Sequence, residues 1–142
     1  VEGLRLPELF GQLEIDGGGP VPDRAVLVGG PVEPERGFVL HTRDYERDST
    51  TLPVSAHIGL TATQDVLEAM ASATPPQRSL LALGYAGWGA GQLDSELVAN
   101  AWLVAELDEA LVFETDDADK WTCALDLLGV TPEHLSALSG HA

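Results

Sequence analysis

Basic side chains are scarce. Seven Lys and Arg stand against 23 Asp and Glu in 142 residues, giving a formal charge of −16 and a pI near 4.2. Proteins that hold a nucleic-acid backbone use Lys and Arg to displace counterions from phosphate. That electrostatic footprint is missing, which argues against direct DNA or RNA contact and against anionic membrane surfaces. The only concentration of bases, Arg36, Arg43 and Arg47, is interleaved with Glu33, Glu35, Asp44, Glu46 and Asp48. The deficit deepens along the chain: residues 1–78 hold 12 acids and six bases, residues 79–142 hold 11 acids and Lys120 alone.

Cysteine is nearly absent as well. Cys123 alone cannot form an internal disulfide, and its apolar setting, Trp121-Thr122-Cys123-Ala124-Leu125, suits a buried small hydrophobe in a reducing compartment. No apolar run reaches the roughly 18–20 residues that span a bilayer. The first residues lack the basic and apolar regions of a signal peptide, and the chain starts at Val1 without an initiator Met. The expected location is the cytoplasm.

What is present is a core: hydrophobic residues make up 44% of the sequence, too many for a disordered acidic tail. The length matches a single domain. Apolar positions 6, 9, 10 and 13 predict a short helix beginning near Pro7. Ala25–Val28 reads as a buried strand, followed by an irregular turn through Pro31 and Pro34, then a strand over Gly37–His41. Residues 43–53 read as a polar surface loop. The alternation Val54, Ala56, Ile58, Leu60 predicts a third strand. Thr61 or Thr63 caps a helix near 64–73, with Thr61 and Gln64 as a capping box. Arg78–Tyr85 reads as a strand too apolar for an exposed edge, 84–91 as a glycine-rich turn, and 93–101 as a helix. Trp102–Ala105 suits a strand, and Asp116–Leu128 a helix whose Trp121, Ala124, Leu125 and Leu128 face the core and which Gly129 closes. Thr131 caps a last short helix. Clustered strands without regular crossover helices indicate an α+β class.

Chemical motifs are few. Gly84-Tyr85-Ala86-Gly87-Trp88-Gly89-Ala90-Gly91-Gln92 lies between a strand and a helix, but matches neither dinucleotide nor P-loop spacing, and Asp94 and Glu96 would repel a phosphate there. His41, His57, His134 and His141 have no paired metal-ligand spacing, and no CxxC occurs. Asp116, Asp117 and Asp119 lack an EF-hand pattern. No G-x-S-x-G occurs, and Ser136 and Ser139 sit in a C-terminal context. Neither a catalytic set, a metal site nor a cofactor is predicted. Gln92, Glu96 and Asn100 share a helix face beside Trp88.

Three blocks carry a family resemblance. The first is Gly29-Gly30-Pro31-Val32 with Arg36-Gly37-Phe38-Val39-Leu40-His41. The second runs from Leu83-Gly84-Tyr85 through Trp88 and Gln92-Leu93 to Asn100-Ala101-Trp102-Leu103. The third joins Trp121, Leu128-Gly129, Leu135-Ser136 and Gly140-His141-Ala142. In this order they resemble the AlgH/YqgE family of bacterial proteins over nearly the whole chain. The resemblance implies a single α+β domain over 1–142, with a bifurcated, mostly antiparallel sheet forming a partial barrel and flanking helices. It also implies a cytosolic protein without established activity. Family members usually carry a further N-terminal portion with strands, which this sequence is expected to lack. The family's label of transcriptional regulator conflicts with the charge arithmetic unless regulation is indirect.

The resulting expectation is a non-enzymatic module that binds a protein or small molecule through Gly30, Arg36, His41, Trp88, Gln92 and Glu96. One alternative is an enzyme with a site around His41, Arg36 and Glu96; another, disfavoured by charge, is a DNA-binding regulator. The sequence sets neither the partner nor the oligomeric state. An edge exposed by missing strands could recruit another chain.

Overall fold

The computed structural model describes residues 3–133, which form an α+β fold divided between Gly87 and Trp88 into two compact units. The first unit contains α1 (Leu6–Gln12), β1 (Leu27–Val28), β2 (Val32–Thr42), β3 (Thr51–Pro53), β4 (Ile58–Thr61), α2 (Gln64–Met70) and β5 (Ser79–Tyr85). Its five strands make one unclosed sheet in the order β1-β5-β2-β4-β3. Only the β1–β5 pair is parallel; the others are antiparallel.

Register decides which side chains share a face. Leu81, Val39, Thr61 and Thr51 lie in one cross-strand row, and Ser79, His41 and Gly59 in the next. Side chains alternate along a strand, so both rows project from the same side of the sheet. The core gathers there: Val39 and Leu81 pack with Leu6 and Phe10 of α1, Val66 and Met70 of α2, and Val26 and Tyr45. Pro7 sits in the first turn of α1, where its missing N–H costs no helical bond.

Several boundaries differ from the sequence reading. The turn expected through Pro31 and Pro34 is the first half of β2. The β2–β5 register shifts between Val32 and Gly37, so Pro34 lies in the unpaired stretch and deprives the ladder of nothing. The predicted loop 43–53 holds edge strand β3, with Pro53 at its end. The strand expected over 54–60 begins only at Ile58. Ahead of it the N–H groups of Val54 and Ser55 both donate to the Ile58 carbonyl, and the Ser55 hydroxyl accepts from His57 and Ile58. This is a turn whose alternation imitates a strand. Thr61 belongs to β4, so no capping box forms; Thr63 is the N-cap of α2, and its hydroxyl donates to Asp65.

The second unit holds α3 (Gln92–Val98), α4 (Glu109–Glu114), a 3₁₀ turn (Asp117–Asp119) and α5 (Lys120–Leu127). The strand expected over Trp102–Ala105 is absent: that stretch is irregular. The sequence reading passed over α4, although Asp108 is a clear N-cap that accepts the Leu111 N–H at 3.0 Å. In α5 only Leu125 is buried; Trp121 and Leu128, expected to face a core, are exposed. Gly129 follows α5 with φ +70°, the left-handed stop that a glycine provides. His134, Ser136, Ser139 and His141 lie outside the described residues.

Candidate functional site

The two units present different groups. In the first, a cleft of about 480 Å³ opens between α1, α2 and the core face of the sheet. Leu9 and Leu13 line it from α1, Val66 and Leu67 from α2, and Leu81 and Leu83 from β5. Helical spacing puts Leu9 and Leu13 on one side of α1, and strand alternation puts Leu81 and Leu83 on one side of β5. Gln12, Thr63 and Gln64 supply polar groups, and among the described lining residues Glu35 is the one charged side chain and none is a base. The sequence reading missed this cleft. Its signal was the i, i+4 leucine pairing of α1, but only the tertiary arrangement shows that α1 and α2 straddle the same strands.

Behind the lining residue Thr61 runs a chain of buried polar groups. The His41 ring is 0% exposed. Its Nδ1 lies 2.9 Å from the Thr42 carbonyl, which can only accept, so Nδ1 carries the proton and donates. Nε2 lies 2.8 Å from the Thr61 hydroxyl, so both ring nitrogens are engaged. The Thr61 and Thr51 hydroxyls are 2.9 Å apart, and Thr51 accepts the Arg47 N–H at 3.0 Å. Every link is satisfied. Gly59 is required beside it: a Cβ there would stand 2.8 Å from Thr51 Cγ2 and 3.1 Å from His41 Cε1. The Tyr45 ring meets the His41 ring edge-on at 5.4 Å. Its hydroxyl donates to Asp65, and burial together with that carboxylate pushes its pKa up to about 12. Burial alone would raise Asp65, but hydrogen bonds from Thr63 and Tyr45 outweigh it and hold the carboxyl below its ordinary value.

Of the residues singled out in the sequence, Gly30 touches Tyr85 directly, and Arg36 is linked to Tyr85 through Phe38. Gly30 packs against the Tyr85 backbone so closely that a Cβ would strike its carbonyl. Arg36 is exposed, 3.5 Å from Glu33, and lies over the Phe38 ring at 5.3 Å; Phe38 meets Tyr85 edge-on at 5.6 Å. A hydrogen bond to Glu33 holds the Tyr85 hydroxyl above its ordinary range. His41 is not part of this surface: it is enclosed, and both ring nitrogens are occupied. It does not face solvent as a catalyst or a surface ligand contact would.

Trp88, Gln92 and Glu96 belong to the second unit. Trp88 is 40% exposed and meets Trp102 edge-on at 5.6 Å. Gln92 is turned inward on its own turn, its Oε1 accepting the Gly89 N–H at 2.9 Å. One Glu96 carboxylate oxygen is shielded from solvent and has no donor among the described residues. Among those residues no group of three or more His, Cys, Asp or Glu is placed to hold a metal ion, and no helix is long and apolar enough to cross a membrane.

The family model described as AlgH-like matches residues 1–133. The chain belongs to the AlgH-like family. Relatives in that family include a UPF0301 protein of Caulobacter vibrioides, 54% identical over 143 aligned residues that cover all of this chain and 73% of the relative. A UPF0301 protein of Rhodospirillum rubrum is 52% identical with the same coverage. Among solved structures, the solution structure of the AlgH protein from Pseudomonas aeruginosa matches with a TM-score of 0.71 and 39% identity. That match covers 99% of this chain and 73% of the Pseudomonas chain. The family assignment expected from the three sequence blocks therefore holds for this AlgH-like chain, and so does the α+β class with helices beside an unclosed sheet.

Proposed function

We propose that this AlgH-like protein is a non-enzymatic binding module of the cytoplasm, and that its ligand is a small apolar molecule with a cationic head. The cleft under α1 and α2 carries the reading. Its volume, about 480 Å³, falls in the range of small-molecule sites, about 300–1,000 Å³. Leucine and valine supply half of its described lining residues and would take an apolar body. Glu35, with no base beside it among the described lining residues, favours a positive head over a negative one. Any regulatory role follows from the ligand-bound state acting on a protein partner, since the surface charge disfavours direct contact with DNA.

The test is an amide-resolved NMR titration with octylamine, octanol and octanoate. Octylamine is expected to bind best and octanoate worst, with shifts confined to α1, α2, β2 and β5. Leu67→Trp, which fills the cleft, should abolish all three responses while leaving the fold unchanged. Glu35→Gln should remove the preference for the amine over the alcohol. Shifts that ignore Leu67→Trp, or a preference for octanoate, would refute the reading.

A further inference from the structure

His41 is a titratable ring whose surroundings suit one charge state better than the other. Its described neighbours, Thr42, Tyr45, Gly59 and Thr61, all belong to the first unit. Hydrogens can be counted along the chain that starts at the ring. The Thr42 carbonyl takes the Nδ1 hydrogen in either charge state. Beyond Nε2 there are two contacts: 2.8 Å to the Thr61 hydroxyl, then 2.9 Å from Thr61 to the Thr51 hydroxyl. A neutral ring brings no hydrogen to Nε2, so the two hydroxyl hydrogens fill the two contacts. A charged ring brings a third hydrogen, and two contacts hold only two. The surplus falls on Thr61 or Thr51. Both are buried, and neither hydroxyl has a further acceptor among the described residues. A donor stranded there loses its water and gains no partner.

The nearest place to relieve it is the loop of residues 43–50, which joins β2 to β3. Its Tyr45 stands edge-on to the His41 ring at 5.4 Å, with the Arg47 guanidinium 4.8 Å from the Tyr45 ring. The loop closes on Thr51: the Arg47 N–H donates to its hydroxyl at 3.0 Å, and the Thr51 N–H donates to the Arg47 carbonyl at 2.8 Å. The adjoining Thr50 hydroxyl is shielded and has no partner among the described residues. This closure is therefore already short of polar partners.

The charges around the ring do not hold a proton on it. The loop brings Asp44, Tyr45 and Arg47, and α2 brings Asp65, reached through Tyr45. On β5 the Arg24 guanidinium donates to the Ser79 carbonyl, while Arg78 pairs its backbone with Thr42. The facing positions of β3 and β4 are Thr51, Thr61 and Gly59, which carry no charge. Asp44 is the acid whose field reaches His41, but its oxygens accept from the Thr42 hydroxyl and, at 2.9 Å, the Gln77 N–H.

We propose that His41 is a proton-operated latch on the loop of residues 43–50: the neutral ring keeps the loop closed, and the charged ring frees it. Opening admits water to the ring and to both threonine hydroxyls. A state that hosts the charged ring better gains population as the pH falls.

An NMR titration of the full chain tests this from about pH 8 to pH 5, the span in which histidine ordinarily changes charge. The His41 ring carbon shifts are followed beside exchange protection of the Arg47 and Thr51 amides, corrected for the intrinsic effect of pH. Protection at these two amides is expected to fall about tenfold or more as His41 charges, while Val39 and Leu40 in the centre of the sheet keep theirs. Thr51→Val removes the acceptor of the Arg47 N–H and should leave Arg47 unprotected at every pH; Thr51→Ser should keep the response. His57→Gln removes the exposed histidine beside the loop and should change nothing. Five results would overturn the proposal: a ring that stays neutral until the protein unfolds, a ring that charges without loss of protection at Arg47 and Thr51, a loss shared equally by Val39 and Leu40, an Arg47 response that survives Thr51→Val, or one that His57→Gln abolishes.

Discussion

At the scale of single residues, Thr51, Thr61 and His41 are buried and paired in one chain that ends on the Arg47 N–H and the Thr42 carbonyl, and so costly to interrupt. Thr61→Val keeps the shape of the side chain but removes the hydroxyl that partners both His41 and Thr51. It is expected to lower unfolding free energy by about 1–3 kcal/mol in urea denaturation. Tyr45→Phe deletes the donor to Asp65 and should cost about 1–3 kcal/mol near neutral pH. The pH dependence has a definite sign. Asp65 is held below its ordinary 3.8, so its contribution is complete above that value and is lost as pH falls through the folded-state pKa. Tyr45→Phe should therefore flatten acid unfolding, and its penalty should shrink in acid. Tyr45 is shifted the other way, from 10.0 to about 12. Between those values the unfolded chain gives up a proton that the folded chain keeps, so stability falls as pH rises. A 295 nm absorbance titration should show one of the two tyrosines ionising near pH 12 while the fold persists.

At the scale of elements, legibility in the sequence followed how local each cause was. Helix α1 was readable from Pro7 and its leucines, and β5 from its unbroken apolar run, because those signals sit inside the element. Strand β2 was half hidden. Pro34 and Gly37 look like breakers until the register shift leaves that stretch without a ladder to break. The turn at 54–57 imitated a strand because Ser55 hydroxyl bonds, not pairing, hold it. Helix α4 was legible in Asp108 and passed over. Of the candidate site, Gly30 packs on the Tyr85 backbone and Arg36 over the Phe38 ring, whereas His41 is enclosed for reasons no local pattern carries: its partners lie one residue along β2 and twenty residues away on β4. Gly59 shows how tightly that neighbourhood is fitted. Gly59→Ala would press a methyl on Thr51 and His41, and it is expected to destabilise by about 1–3 kcal/mol, read as a lowered urea midpoint at unchanged slope.

At the scale of the whole molecule, charge dominates. Arg5, Arg36, Arg43 and Lys120 are already ion-paired with acids among the described residues, so the excess of carboxylates repels itself. Salt screens such repulsion over about 10 Å at 0.1 M. The thermal midpoint should therefore rise between 10 mM and 150 mM sodium chloride. Fluorescence anisotropy with a labelled duplex should show no binding even at the low-salt end. Measurable, salt-sensitive retention would instead reinstate direct DNA contact. The placement of the cleft carries one more consequence. Every described residue that lines it falls between Leu4 and Leu83, inside the first compact unit. Whatever the cleft is given to hold, its shape can be rewritten by substitutions within that one stretch of sequence.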